Sequence, residues 1–156
     1  MEDAVILLSG GMDSGVLLAW SRPRYAAVHA LSFDYGSKHA AKEVYMARRL
    51  AQEYGATFTE VGLPFINALF TSSLLQSGEA IPDGPYRPDS ISSTVVPFRN
   101  GIMLAIATGY AETHRIGTVL IASHTGDHPV YPDCTSEFTD AMSQACLLYP
   151  YEPSAD

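Results

Sequence analysis

Along the chain, short solid apolar runs alternate with longer stretches in which apolar positions recur every three or four residues. Val5-Ile6-Leu7-Leu8 predicts a buried strand. Ser9-Gly10-Gly11 then predicts a sharp turn, and Gly15-Val16-Leu17-Leu18-Ala19-Trp20 a helix that stops near Ser21, since Pro23 cannot continue it. Residues 26–33 form a second solid run, ending at the turn Asp34-Tyr35-Gly36. From Lys38 to Tyr54, apolar residues at Val44, Met46, Ala47, Leu50 and Ala51 predict an amphipathic helix closed by Gly55. Thr57 to Val61 alternates and reads as a half-exposed strand. Pro64, Pro82, Pro85 and Pro88 break up residues 62–94, which predicts a long connection of the kind that serves as a lid or binding loop, with a short helix around Ala68-Leu69-Phe70 and Leu74-Leu75. Residues 101–111 are apolar nearly all round and predict a central buried helix. Thr118 to Ala122 predicts a fourth strand, and Ser136 a cap for a last helix starting near Glu137. Strand–helix alternation implies an α/β protein with a parallel sheet flanked by helices, residues 1–156 making one domain.

Composition narrows the classes of function. The 156 residues are 47% hydrophobic and 17% charged, which suits a folded domain rather than a disordered chain. The formal net charge of −8 is poorly matched to a nucleic-acid backbone, so a small-molecule substrate is expected and no direct nucleic-acid partner. Two cysteines, Cys134 and Cys146, are too few for a disulfide framework or a four-sulfur metal site. No leader-like segment and no apolar run of about 20 residues is present, so a cytoplasmic, non-membrane protein is expected.

The chemistry concentrates at strand ends, where ligands of open parallel sheets sit. Adjacent Gly10 and Gly11 allow positive φ and close approach of the backbone to a ligand. Their amides and the start of the following helix favour an anion. Ser9, Asp13 and Ser14 add hydroxyls and a carboxylate suited to capping, phosphate or Mg²⁺. The stretch lacks the Gly-Lys-Ser/Thr of a Walker loop and the Gly-x-Gly-x-x-Gly of a dinucleotide fold. Arg99, at the mouth of the apolar helix, opposes that helix's dipole. Either it faces solvent or an anionic ligand compensates.

Ser9-Gly-Gly-Met-Asp-Ser14 resembles the PP-loop of ATP pyrophosphatases. Together with Asp34-Tyr-Gly-Ser-Lys-His39, Val96-Pro-Phe-Arg-Asn100 and the segment from Asp127 through Tyr131-Pro-Asp-Cys134 to Phe138, it resembles the 7-cyano-7-deazaguanine synthase family over nearly the whole chain. That resemblance implies an adenine-nucleotide alpha-hydrolase-like, Rossmann-like fold with the PP-loop after the first strand. It implies an ATP-dependent ligase of queuosine and tRNA modification. The enzyme adenylates the carboxylate of 7-carboxy-7-deazaguanine, lets ammonia displace AMP, and activates the amide again to reach the nitrile.

Carried over by residue, Ser9, Gly10, Gly11, Met12, Asp13 and Ser14 would hold pyrophosphate, with Asp13 on Mg²⁺. Leu31 to Phe33 would meet adenine through the main chain. Lys38 and His39 would face phosphate or the acyl centre, Arg99 and Asn100 the nucleotide or substrate carboxylate, and Tyr131, Asp133 and Asp127 the deazaguanine. Simpler roles stand beside these: His39 as a solvated helix-start residue, Asp133 as a cap of the last helix, Asp127 and His128 as an exposed turn, Cys134 as a small buried residue. Phe98 stands where the family usually has Gly, Ser37-Lys38 replaces a Gln-Arg pair, and Val130 replaces another Gly. The resemblance also implies a homodimer, a further Lys-bearing segment and a four-cysteine Zn²⁺ module, and the last two are not among these residues. The departures leave two alternatives: a relative that passes an activated deazaguanine acid to another amine on protein or nucleic acid, and a non-catalytic nucleotide-binding protein.

Overall fold

The computed structural model describes residues 1–80, 93–123 and 131–147. Strands β1 (Ala4–Leu7), β2 (Val28–Asp34), β3 (Thr57–Gly62) and β4 (Val119–Leu120) form one parallel sheet in the order β3-β2-β1-β4. Helices α1 (Met12–Ser21), α2 (Ala40–Glu53), α3 (Pro64–Leu69), α4 (Arg99–Thr113) and α5 (Ser136–Leu147) complete the described elements, with a 3₁₀ turn at Pro132–Cys134. The α/β reading of the sequence holds.

The solid apolar runs become central strands because helices cover both faces of the sheet. Alternate residues of β1 part company. Val5 and Leu7 join Leu31, Phe33, Ile66, Met103, Leu104 and Ala107 on the α3/α4 side. Ile6 and Leu8 join Leu18, Val28, Ala30, Ala47 and Ala51 on the α1/α2 side. No residue of edge strand β3 is fully buried, as its alternation implies.

The chain runs from β1 outward to β2 and β3, then returns to the other side of β1 for β4. The gap between the carboxyl ends of β1 and β4 is therefore the topological switch point, where open α/β sheets bind ligands.

Four expectations shift. β4 is two residues rather than five, and among the described residues it pairs with β1 alone. The short helix forms earlier than the apolar pairs suggest, at Pro64–Leu69, because Pro64 presets its first turn. The described part of the 62–94 connection is packed: Ser72, Ser73 and Leu75 are buried, and Lys38 N–H and Gln76 N–H donate to Leu74 O and Gly36 O across to the β2–α2 turn. Residues 81–92, with Pro82, Pro85 and Pro88, lie outside the described residues. Finally, α4 begins at Arg99 and exposes Ala105, Gly109 and Thr113, so only one side of it is core. Among the described residues no helix is long and apolar enough to cross a membrane.

Candidate active site

The turn after β1 is shaped by what lies beneath it. Gly10 has φ +81°, and a Cβ there would overlap the Glu43 carbonyl oxygen and stand 2.8 Å from the Ala47 amide nitrogen. Only a bare α-carbon lets the turn lie directly on α2. Gly11 is the N-cap of α1, in extended conformation, with no side-chain hydrogen bond capping the helix. The first-turn amides thus keep their capacity for an anion. The two serines face each other: Ser9 Oγ and Ser14 Oγ are 3.1 Å apart, Gly11 N–H donates to Ser9 Oγ at 3.3 Å, and Ser14 Oγ donates to Gly11 O at 3.0 Å. Met12 and Asp13 continue into α1 with exposed side chains, so Met12 offers the site its main chain only.

A cleft of about 310 Å³ opens at the switch point. Leu7, Leu8, Ser9 and Ser14 come to it from β1 and the turn, Ser32 and Phe33 from β2, Arg99, Asn100 and Met103 from α4, and Ile121 to Ser123 from beyond β4; Tyr35, Glu43 and Cys134 complete it. Three of the four sequence motifs therefore meet on one wall, and the fourth reaches it through Cys134.

Arg99 is held at that wall by Tyr35. Its Nη1 donates to the Tyr35 hydroxyl at 3.2 Å, and the guanidinium carbon lies 5.5 Å from the centre of the Tyr35 ring. Burial works against its charge, but Tyr35, Asp133 and Cys134 outweigh it and push its pKa up. Among the described residues no carboxylate forms an ion pair with Arg99. A permanent cation with donors to spare lines the cleft, which suits a carboxylate or phosphate.

Asp133 answers the question of how α4 tolerates an arginine in its first turn. Its Oδ2 accepts from Asn100 N–H at 2.8 Å, its carbonyl accepts from Asn100 Nδ2 at 3.1 Å, and the Cys134 Sγ lies 3.3 Å from the same Nδ2. The carboxylate caps α4 from a segment 33 residues away and offsets both the dipole and Arg99. This corrects the simpler expectation for Asp133: the helix it caps is α4, not the last one. The cap of α5 is Thr135, whose Oγ1 accepts from Phe138 N–H at 3.2 Å, rather than Ser136. Asp133→Ala should therefore lower stability by about 1–3 kcal/mol, the cost of a lost cap and an unpaired buried amide, read from the urea midpoint at constant m.

Other residues lie where the motifs alone did not put them. Lys38 Nζ donates to the carbonyls of Ser73 (2.8 Å), Gly78 (3.3 Å) and Glu79, stapling the 72–79 loop, and it is absent from the cleft wall. His39 is the exposed N-cap residue of α2. Leu31 is buried in the core, while its neighbours Ser32 and Phe33 reach the cleft. Tyr131 pairs its hydroxyl with Thr94 Oγ1 at 3.0 Å, outside the cleft wall. Asp127, His128 and Val130 lie outside the described residues. Phe98 does not crowd the cleft: it adopts φ +53°, is 58% exposed, and sets its ring edge-on to Phe138 at 5.7 Å. A left-handed non-glycine residue costs about 1–2 kcal/mol, and the ring contact with Phe138 offsets part of it.

Sequence reasoning named Tyr35 only within a turn and a family motif, with no role of its own, and did not bring forward Glu43 or Met103 as site residues. A carboxylate four residues into α2 carries no local signal that its helix packs beneath the turn after β1.

Cys134 is an unpaired thiol at the cleft. Burial pushes its pKa up, Asp133 adds to that, and Arg99 and Asn100 pull back only in part. A raised thiol pKa leaves little thiolate at neutral pH. Iodoacetamide should label Cys134 slowly at pH 7–8 and faster only as pH climbs beyond the ordinary thiol range, as peptide mapping by mass spectrometry would show.

With that geometry in hand, comparison with known proteins decides the family. The family model described as queuosine biosynthesis protein QueC matches residues 3–151. The chain belongs to the QueC family. A 7-cyano-7-deazaguanine synthase of Desulfotalea psychrophila is 55% identical over 148 residues, covering 95% of this chain and 68% of that protein. The synthase of Porphyromonas gingivalis is 49% identical over 144 residues (92% and 64%), and that of Marinobacter nauticus 40% over 152 (97% and 68%). The chain thus spans about two thirds of the length of these QueC relatives. Among solved structures, a predicted subunit of tRNA methyltransferase from Methanocaldococcus jannaschii matches with TM-score 0.57 at 15% identity, covering 94% of this chain and 65% of that one. At that identity the likeness concerns the fold, which is the adenine-nucleotide alpha-hydrolase-like arrangement.

Proposed function

We propose that this chain carries the nucleotide and acid site of a ligase that converts 7-carboxy-7-deazaguanine to 7-cyano-7-deazaguanine with ATP and ammonia. The observation that carries the reading is the single cleft that joins the Ser9–Ser14 turn to Arg99 and Asn100 at the switch point. The donors suit the ligands. Two hydroxyls and uncapped helix amides match a triphosphate tail, and hard oxygen donors match Mg²⁺. Among the described residues no group of three or more His, Cys, Asp and Glu could hold a metal ion. Mg²⁺ needs no such cage, since it is usually held by one or two carboxylates and the phosphates themselves.

In this mechanism ATP is a substrate. Ser9, Gly11 and Ser14 orient its tail, with Asp13 close by at the start of α1. The acid oxygen bonds to the α-phosphorus as pyrophosphate leaves, and ammonia displaces AMP to give the amide; a second ATP then adenylates the amide oxygen, which departs with AMP as the nitrile forms. Arg99 holds the substrate carboxylate or the α-phosphate and neutralises the charge that develops there. Ser32 and Phe33 flank the base, and Asn100, tied to Asp133, keeps the start of α4 in register with the cleft. Positioning and charge neutralisation are the whole protein contribution, so no nucleophilic side chain is required. Neutral Cys134 is consistent with that. Lys38, His39, Tyr131 and Asp127 take no step in this account, and Asp133 acts through α4. A cytoplasmic location and small-molecule partners without nucleic acid belong to the same reading.

The alternative of transfer to another amine drew on Phe98 and Ser37. The Phe98 ring lies off the cleft and Ser37 Oγ bonds Glu43, so nothing favours it. The test is incubation with the acid, ATP, Mg²⁺ and ammonium, followed by chromatography and mass spectrometry. Ammonium-dependent AMP and pyrophosphate, with the nitrile, are the expected result. AMP with a different acid only would overturn the substrate. Nucleotide binding with no AMP from any acid would leave a non-catalytic binder.

A further inference from the structure

We infer that Glu43, on α2, supplies a carboxylate to the divalent cation that accompanies the nucleotide. The inference rests on the ATP reading above and extends it to a residue that no motif brought forward. Glu43 lines the same cleft as Ser9 and Ser14. It is fixed there twice. Its main-chain oxygen lies directly beneath the bare α-carbon of Gly10, so α2 and the phosphate turn cannot shift independently. Its Oε2 accepts from Ser37 Oγ at 2.9 Å, which directs the carboxyl group. Among the described residues no Lys, Arg or His forms an ion pair with it.

A lone carboxylate on the wall that holds a triphosphate tail is repulsive unless a cation lies between them. Arg99 enters the cleft from α4 and Lys38 is spent on loop carbonyls, so neither side chain neutralises Glu43. An Mg²⁺ ion held by one carboxylate, serine hydroxyl and phosphate oxygens answers both charges, and that donor set is the usual one for this ion. Asp13, exposed in the first turn of α1 and off the cleft wall, then serves as a more solvated neighbour of the site.

The test uses the whole chain with α,β-methylene ATP, which cannot be cleaved, and Mn²⁺ in place of Mg²⁺. Free Mn²⁺ is read by electron paramagnetic resonance, and nucleotide affinity by calorimetry with and without metal. Glu43→Gln keeps the size of the side chain and an acceptor for Ser37. It should weaken Mn²⁺ binding to the nucleotide complex about tenfold or more and leave metal-free nucleotide affinity equal or improved. Ser37→Ala should weaken Mn²⁺ binding less than Glu43→Gln does. Unchanged Mn²⁺ affinity in Glu43→Gln would overturn the inference alone. An equal loss of nucleotide affinity with and without metal would also overturn it, because that marks a packing role. A wild-type chain that binds no nucleotide even with metal would overturn the ATP reading and this inference together.

Discussion

Arg99→Ala should lower kcat for AMP formation about 10²–10³-fold, the range seen when one preorganised donor to developing charge is removed. The reasoning starts from the guanidinium's surroundings. Tyr35 orients one edge of it, and no carboxylate among the described residues spends the rest. Its raised pKa keeps it charged at any working pH. Arg99→Lys should recover little, because a point charge cannot take the Tyr35 hydroxyl and a ligand anion in one plane. Stability should change much less than activity, since the cap on α4 comes from Asp133 and Asn100 N–H. Steady-state kinetics beside urea denaturation separates the two. A variant that unfolds early while keeping its kcat would assign Arg99 to structure instead.

Gly10→Ala should damage both stability and nucleotide affinity. The left-handed backbone costs about 1–2 kcal/mol for a side chain, and overlap with the Glu43 carbonyl and Ala47 amide adds about 1–3 kcal/mol. A loss of about 2–5 kcal/mol is a large share of a domain's stability, and the displaced turn should lose nucleotide affinity too. Its neighbour provides the control. Gly11 has φ −78°, and its Cβ would meet only Ser9 Oγ at 3.4 Å. Gly11→Ala should therefore cost stability about 1 kcal/mol or less. Urea midpoints that fall equally for both would mean the turn is not pinned to α2.

These two positions also show which parts of the protein are legible in sequence. β1 and β2 are readable because burial on both faces demands largely apolar runs, which His29 and Ser32 interrupt only in β2. The turn is readable because only glycine answers its local geometry. The location of the cleft follows from parallel topology alone. What could not be read is what distant segments do for one another. Asp133 caps a helix that begins 34 residues earlier, and Arg99 owes its orientation to Tyr35 on another element. Lys38 sits in a motif that predicts phosphate contact, yet three loop carbonyls attract its ammonium. Phe98 stands where the family usually has Gly, and its left-handed backbone turns the ring onto Phe138. β4 is shorter than its apolar run: among the described residues its ladder with β1 takes only Val119 and Leu120.

The central claim is that the bare turn after β1 receives the phosphate tail of ATP. A crystal structure of the chain with α,β-methylene ATP and Mg²⁺ tests it most directly. The account predicts phosphate oxygens within hydrogen-bonding distance of Ser9 Oγ, Ser14 Oγ and the first amides of α1, the base beside Phe33, and Arg99 turned toward the α-phosphate. Phosphates seated anywhere else, with the Ser9–Ser14 turn left to solvent, would contradict it.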